Sequence, residues 1–211
     1  MIEIIVIEHM EPVLSKWMWI EYKHTSEMVG KDRLWITNVK DPDERALLRK
    51  IAKNVYEESV SELNISYDII VLDPSASRTL EPEDLRDEVC VVIGGIMGDY
   101  PPKGRTRELS SKLKRKKTRN LGPLQFPIDS AAYIALEIDR GKRLDDIPIL
   151  DQLEIEVSEG HTIVLPYAYP LVNGRPLISE EEIKYLKSGI EEDEARAIKE
   201  GKVRSVAEDL R

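Results

Sequence analysis

Two short loops in this 211-residue chain carry the residue types that let main chain close around a ligand. One is LDPSAS, residues 72 to 77, and the other is GGIMGDYPP, residues 94 to 102. Each follows an apolar run with the look of a buried strand, and in parallel α/β sheets ligands bind beyond the carboxyl ends of the strands. The motif GGIMGD matches neither the dinucleotide fingerprint nor the P-loop, so by itself it fits a tight turn as well as a binding loop. Acids able to handle a proton stand near other turns, Glu8 beside His9 and Glu11 just beyond. Between Lys103 and Arg119 nine positive side chains face one negative, Glu108, while the whole chain carries −9. That segment is suited to steering a polyanion, and equally to being a solvated helix and loop. Metal chemistry is not expected, because His9, His24 and His161 are scattered and Cys90 is the single cysteine, which also excludes an internal disulfide.

These loops need elements to hold them. IEIIVIE predicts a buried strand, and the following segment predicts a helix with Leu14, Trp17, Met18 and Tyr22 on one face, capped near Ser15 and ended at Gly30. A second cycle gives a strand over 33 to 37 and a helix from Pro42 to about Leu63. Ile69 to Leu72 and Val89 to Ile93 read as two more strands, the latter stopping at Gly94-Gly95. Strands apolar on both faces, alternating with helices, predict a mostly parallel sheet covered on both sides. Ala131 to Ile138 forms a helix apolar nearly all round and therefore buried. Trp17, Trp19, Tyr22 and Trp35 fall at helical or strand spacing, which suits core packing better than base stacking. Residues 145 to 211 change character, with short strands, an Asn173-Gly174 turn and charged helices after Ser179, which pairs with Glu182 as a capping box. The expected division is a domain over 1–144 and a small α+β extension over 145–211 packed on it. No run reaches the ~20 apolar residues of a membrane span, and the start lacks a signal-peptide pattern. The expected setting is soluble and cytoplasmic.

In order and spacing, IEHMEP, LDPSA, GGIMGDYPPKGRTREL and LGPLQFPIDSAAYIA resemble the SPOUT methyltransferase superfamily. They are most similar to its branch of predicted RNA methyltransferases that also contains eukaryotic ribosomal-protein arginine methyltransferases. The resemblance covers about residues 1 to 140. It implies an α/β sheet ending in a C-terminal trefoil knot, and S-adenosylmethionine held by three loops through Leu72, Asp73, Pro74, Gly94, Gly95, Ile96, Gly98, Leu121, Gly122, Leu124 and Ile128. The glycines suit close backbone approach, and Ile96, Leu121, Leu124 and Ile128 suit the faces of an adenine. On this reading Gly95→Val removes cofactor binding without unfolding the chain.

Methyl transfer from a sulfonium is a direct displacement, so the protein aligns the reactants and manages a proton on the acceptor. For an arginine acceptor, Glu8, Glu11 and Asp99 are the acids at loop positions, and the expected catalytic set is Glu8, Asp99 and Arg105. For an RNA acceptor, the segment 103–119 becomes the phosphate-contacting surface. A ribosome-associated protein arginine is the expected substrate, with rRNA or tRNA methylation as the alternative and an inactive cofactor-binding assembly factor third. A monomer is favoured over a homodimer, because the acidic extension offers little apolar surface to a second chain.

Overall fold

A computed structural model describes residues 1–97, 104–114, 116–158 and 160–210. Six parallel strands form the central sheet: β1 (Ile2–His9), β2 (Leu34–Thr37), β3 (Asn54–Val55), β4 (Asp68–Leu72), β5 (Val89–Gly95) and β6 (Lys117–Arg119). Their order is β3-β2-β1-β5-β4-β6, which puts β1, β5 and β4 in the middle, where both faces are buried. Along β5, Val89, Val91 and Ile93 join the core beneath helices α1 (Lys16–Val29), α2 (Pro42–Leu48) and α4 (Ile128–Asp139). Cys90 and Val92 point the other way, into a smaller core with Leu109 and Leu113 of the α3 region (α3, Thr106–Lys112). The apolar runs are continuous because neither face meets water.

Local signals set the helix ends. Ser15 Oγ accepts from Met18 N at the start of α1, and Gly30 closes it at φ 86°. Two expectations need correction. Helix α2 stops at Leu48 rather than near Leu63, because residues 54–55 pair with Trp35 and Ile36 as the edge strand β3 and Ser59 to Glu62 make a separate capped turn. Strand β5 does not stop before its glycines either: Gly94 and Gly95 stay in register with Glu8 and His9 of β1.

The C-terminal part carries antiparallel pairs: β8 (Leu153–Ser158) with β9 (His161–Leu165), and β10 (Tyr169–Val172) with β7 (Ile149–Leu150) and β11 (Arg175–Pro176). Asn173 and Gly174, both at positive φ, make the predicted turn. With helices α5 (Glu180–Ser188) and α6 (Ile190–Glu200), this part has its own apolar cluster, and Trp17 of α1 packs against it. Val206 N donates to Leu14 O (2.8 Å), bringing the chain's end back to the start of α1. Among the described residues, no helix is long and apolar enough to cross a membrane.

Candidate active site

A cavity of about 320 Å³ opens at the carboxyl ends of β4 and β5, where the two loops singled out by composition meet the segment after β6. Leu72, Asp73, Pro74, Gly94, Ile96, Leu121, Gly122, Leu124 and Ile128 all line it. The floor is built from main chain and apolar side chains. Gly122 sits at φ 82°, and a Cβ on Gly94 would come 3.2 Å from both Ile96 Cδ1 and Thr106 Oγ1. Asp73 lines the floor with its carboxylate already used: Oδ1 accepts from Ser75 N (2.9 Å) and Oγ (2.7 Å), and Oδ2 accepts from Ser110 Oγ (2.7 Å). Its work is to tie the β4 loop to α3.

Arg105 also lines the cavity, and its guanidinium is held in a small latch. Its Nη2 donates to Met97 O (2.8 Å) and pairs with Glu11 (2.8 Å), whose Oε1 in turn accepts from Met97 N (2.8 Å). The β1–α1 and β5–α3 loops are thereby tied together across the cavity mouth.

The opposite wall is acidic and aromatic, and composition gave no sign of it. Trp17, Glu21, Tyr167 and Tyr169 line the cavity on this side. Behind them lie Glu182, from α5, and Asp129, from the first turn of α4. Both are 1% exposed. Trp17 Nε1 donates to Glu182 Oε1 (3.1 Å), and Ile128 N donates to Glu21 Oε2 (3.1 Å). Burial, followed by the charges of Glu182 and Asp129, pushes the Glu21 carboxyl well above the usual carboxylate range. Burial and then Asp129 push Glu182 up to about 8, against the pull of the Trp17 hydrogen bond. His24 Nδ1 bonds Asp129 Oδ2 at 2.7 Å, and this partner raises the imidazole's pKa although burial opposes it. Ser179 caps α5, but the expected reciprocal bond from Glu182 is absent because that side chain turns to Trp17 instead. Trp17 is therefore a wall residue as well as a packing one.

Two expected site residues, Glu8 and Gly95, do not reach this cavity, and one residue of the expected basic surface, Arg119, is not on the surface. Glu8 is buried in a separate polar recess with Met10, Asn38 and Ser59. Its carboxylate accepts from Thr37 Oγ1 (2.5 Å), Ser59 Oγ (2.6 Å) and Val60 N (2.9 Å), which leaves it a structural tie. Gly95 faces the core: a Cβ there would lie 2.2 Å from Tyr22 Oη and 2.9 Å from Glu8 O. Its lack of a side chain makes room for the Tyr22 hydroxyl, which bonds His9 Nδ1 at 3.0 Å. Arg119, counted in the basic surface, is 7% exposed and bonded to Asp84, with Nε to Oδ2 at 2.7 Å. Gly98 and Asp99 lie outside the described residues.

The family model of SFM1-like protein arginine N-methyltransferases matches residues 4–193. The protein arginine N-methyltransferase SFM1 of Saccharomyces cerevisiae is 30% identical over 198 residues, spanning 86% of this chain and 93% of that one. The crystal structure of yeast SFM1 complexed with SAH superimposes with a TM-score of 0.80 at 27% identity, over 88% of this chain and 95% of that chain. Its complex with SAM gives 0.79 at 27%, over 89% and 91%. The crystal structure of a dual-specific Trm10 from Thermococcus kodakaraensis shares the fold, with a TM-score of 0.53 at 20% identity over 68% and 95%. Fold and site define a methyltransferase of the SPOUT class. Within that class, the chain belongs to the family of SFM1-like protein arginine N-methyltransferases. The match extends past residue 140, well into the C-terminal part that supplies Tyr167, Tyr169 and Glu182.

Proposed function

We propose that this chain transfers a methyl group from S-adenosylmethionine to an arginine side chain of a protein acceptor. One observation carries the reading: a single cavity joins a backbone-lined apolar floor to a wall of buried carboxylates and aromatic rings. The floor fits the cofactor, since Leu72, Ile93, Leu121, Leu124 and Ile128 offer apolar faces to an adenine and main chain is exposed at Gly94 and Gly122. When bound, S-adenosylmethionine supplies an electrophilic methyl group on a sulfonium. The wall fits a guanidinium, which is planar, permanently charged and lined with N–H donors. Glu21 orients it, Trp17, Tyr167 and Tyr169 enclose it, and the raised basicity of Glu21 suits it to take the proton that the methylated nitrogen loses.

An acidic wall repels phosphate, which favours protein over RNA as the acceptor. It also argues against an inactive cofactor-binding factor, for which three buried carboxylates serve no purpose. Arg107, Lys112, Lys114 and Lys117 remain exposed along α3 and β6, and a ribosomal acceptor would let them meet RNA beside the modified protein. The trefoil threading, the division at residue 144, a monomeric state and a cytoplasmic setting belong to the same reading. The test is transfer of tritiated methyl to ribosomes separated into protein and RNA fractions. Label on protein arginine is the expected result, and label on RNA alone overturns it.

A further inference from the structure

We infer that the carboxyl groups of Glu21 and Glu182 share one proton while the acceptor site is empty and release it to solvent when a guanidinium enters. This rests on the arginine-acceptor reading and deepens it: the acceptor site becomes an exchanger of one proton for one guanidinium.

The two acids come from elements far apart in sequence, α1 and α5, and the Trp17 indole N–H is a hydrogen-bond partner of both. Asp129 adds a third buried carboxylate from α4. Among the described residues, the titratable groups facing them from every packed element are few. From α1 comes His24, already bonded to Asp129, Tyr167 comes from the segment before β10, and Tyr169 is the first residue of β10. Lys16 and Lys23 are nearby but pair with Glu181 at the surface. Among the described residues, one imidazole therefore faces three carboxylates largely out of water. Like charges so placed cannot all ionise, and the proton is held by the pair as a unit.

A separate observation points to an occupant. Tyr169 is 1% exposed, lines the cavity and feels all three acids, yet its hydroxyl has no hydrogen-bond partner among the described residues. A guanidinium has five N–H donors in a fixed fork, enough to bond Glu21 and the Tyr169 oxygen together, and its charge stabilises the ionised Glu182 behind them. The exchange balances simply. The O–H bond of the shared carboxylic acid breaks, its proton goes to water, and N–H donors of the incoming cation take its place. Acceptor affinity should then fall about tenfold for each pH unit below the titration of the shared group.

The test is carboxyl NMR of the full chain labelled with carbon-13 at the glutamate carboxyls, titrated with methylguanidinium chloride at constant ionic strength. Spectra of Glu21→Gln and Glu182→Gln assign the two signals. One glutamate carboxyl should titrate above pH 7 without the probe and below pH 6 with it. Two carboxyls that both titrate below pH 6 without methylguanidinium would overturn the shared proton. So would a raised titration that saturating methylguanidinium does not move. Calorimetry with S-adenosylhomocysteine on the same samples separates the two readings. Binding there with a failed exchange removes only this inference, whereas no binding removes the methyltransferase reading itself. Glu182→Gln should keep its S-adenosylhomocysteine affinity and lose the proton release.

Discussion

The two halves of the cavity are built from different materials. The floor at the ends of β4 and β5 is main chain, glycine, proline and aliphatic surface, and its one carboxylate among the described residues, Asp73, is spent on Ser75 and Ser110. The wall is made of ionisable and aromatic side chains from α1, α4, β10 with the segment before it, and α5. The floor suits a ligand recognised by shape and backbone hydrogen bonds. The wall suits one recognised by charge. A methyltransferase needs both, because the donor is largely apolar at its adenine and the acceptor is a cation.

If the halves are functionally separate, damage to each should separate too. The largest effect is expected from Glu21→Gln, which leaves a bound guanidinium without its main counter-charge. Methyl transfer to a protein acceptor should fall about 10³-fold, while S-adenosylhomocysteine affinity by calorimetry stays within about twofold. A parallel loss of cofactor affinity would show that the halves are one site.

The next test is at the glycines. Gly95→Val forces a side chain against Tyr22 Oη and the Glu8 carbonyl, so it should destabilise the fold by about 3 kcal/mol in denaturant titration. Gly94→Ala meets only Ile96 and Thr106, and should weaken cofactor binding about tenfold with little change in the unfolding midpoint. An unchanged affinity would take Gly94 off the floor.

The smallest effect concerns pH, and the two regions should respond with opposite sign. Burial pushes His9 beneath the floor down to about 4, a folded-state pKa below the unfolded one. Its contribution is present above pH 6.5 and lost as pH falls, amounting to roughly 2.5 kcal/mol by pH 4.5. Glu182 in the wall is raised, so its protonated form favours the folded state and that contribution fades as pH rises through about 8. Stability curves should therefore flatten below about pH 6.5 in His9→Gln and between about pH 4.5 and about 8 in Glu182→Gln. A curve unchanged in both would refute the assignment of either group.

The sequence alone determined the floor. Continuous apolar strands must be buried on both faces, glycine and proline mark where the chain turns, and parallel topology places ligands at strand ends, which singled out the loops after β4 and β5; the family resemblance added the loop from Leu121 to Ile128, and nine of the eleven cofactor residues it implied line the observed cavity. What it could not show is which way a side chain faces. Glu8 and Gly95 belong to motifs at the right end of the sheet, yet register turns Glu8 toward Thr37 and Ser59 and places Gly95 under Tyr22. The acidic wall was decided entirely by tertiary structure. Trp17, Glu21, Asp129, Tyr169 and Glu182 span more than 160 residues and carry no common spacing, because their chemistry arises only when α5 packs on α1 beside the start of α4. A carboxylate's pKa depends on what surrounds it in space, and sequence distance carries no record of that.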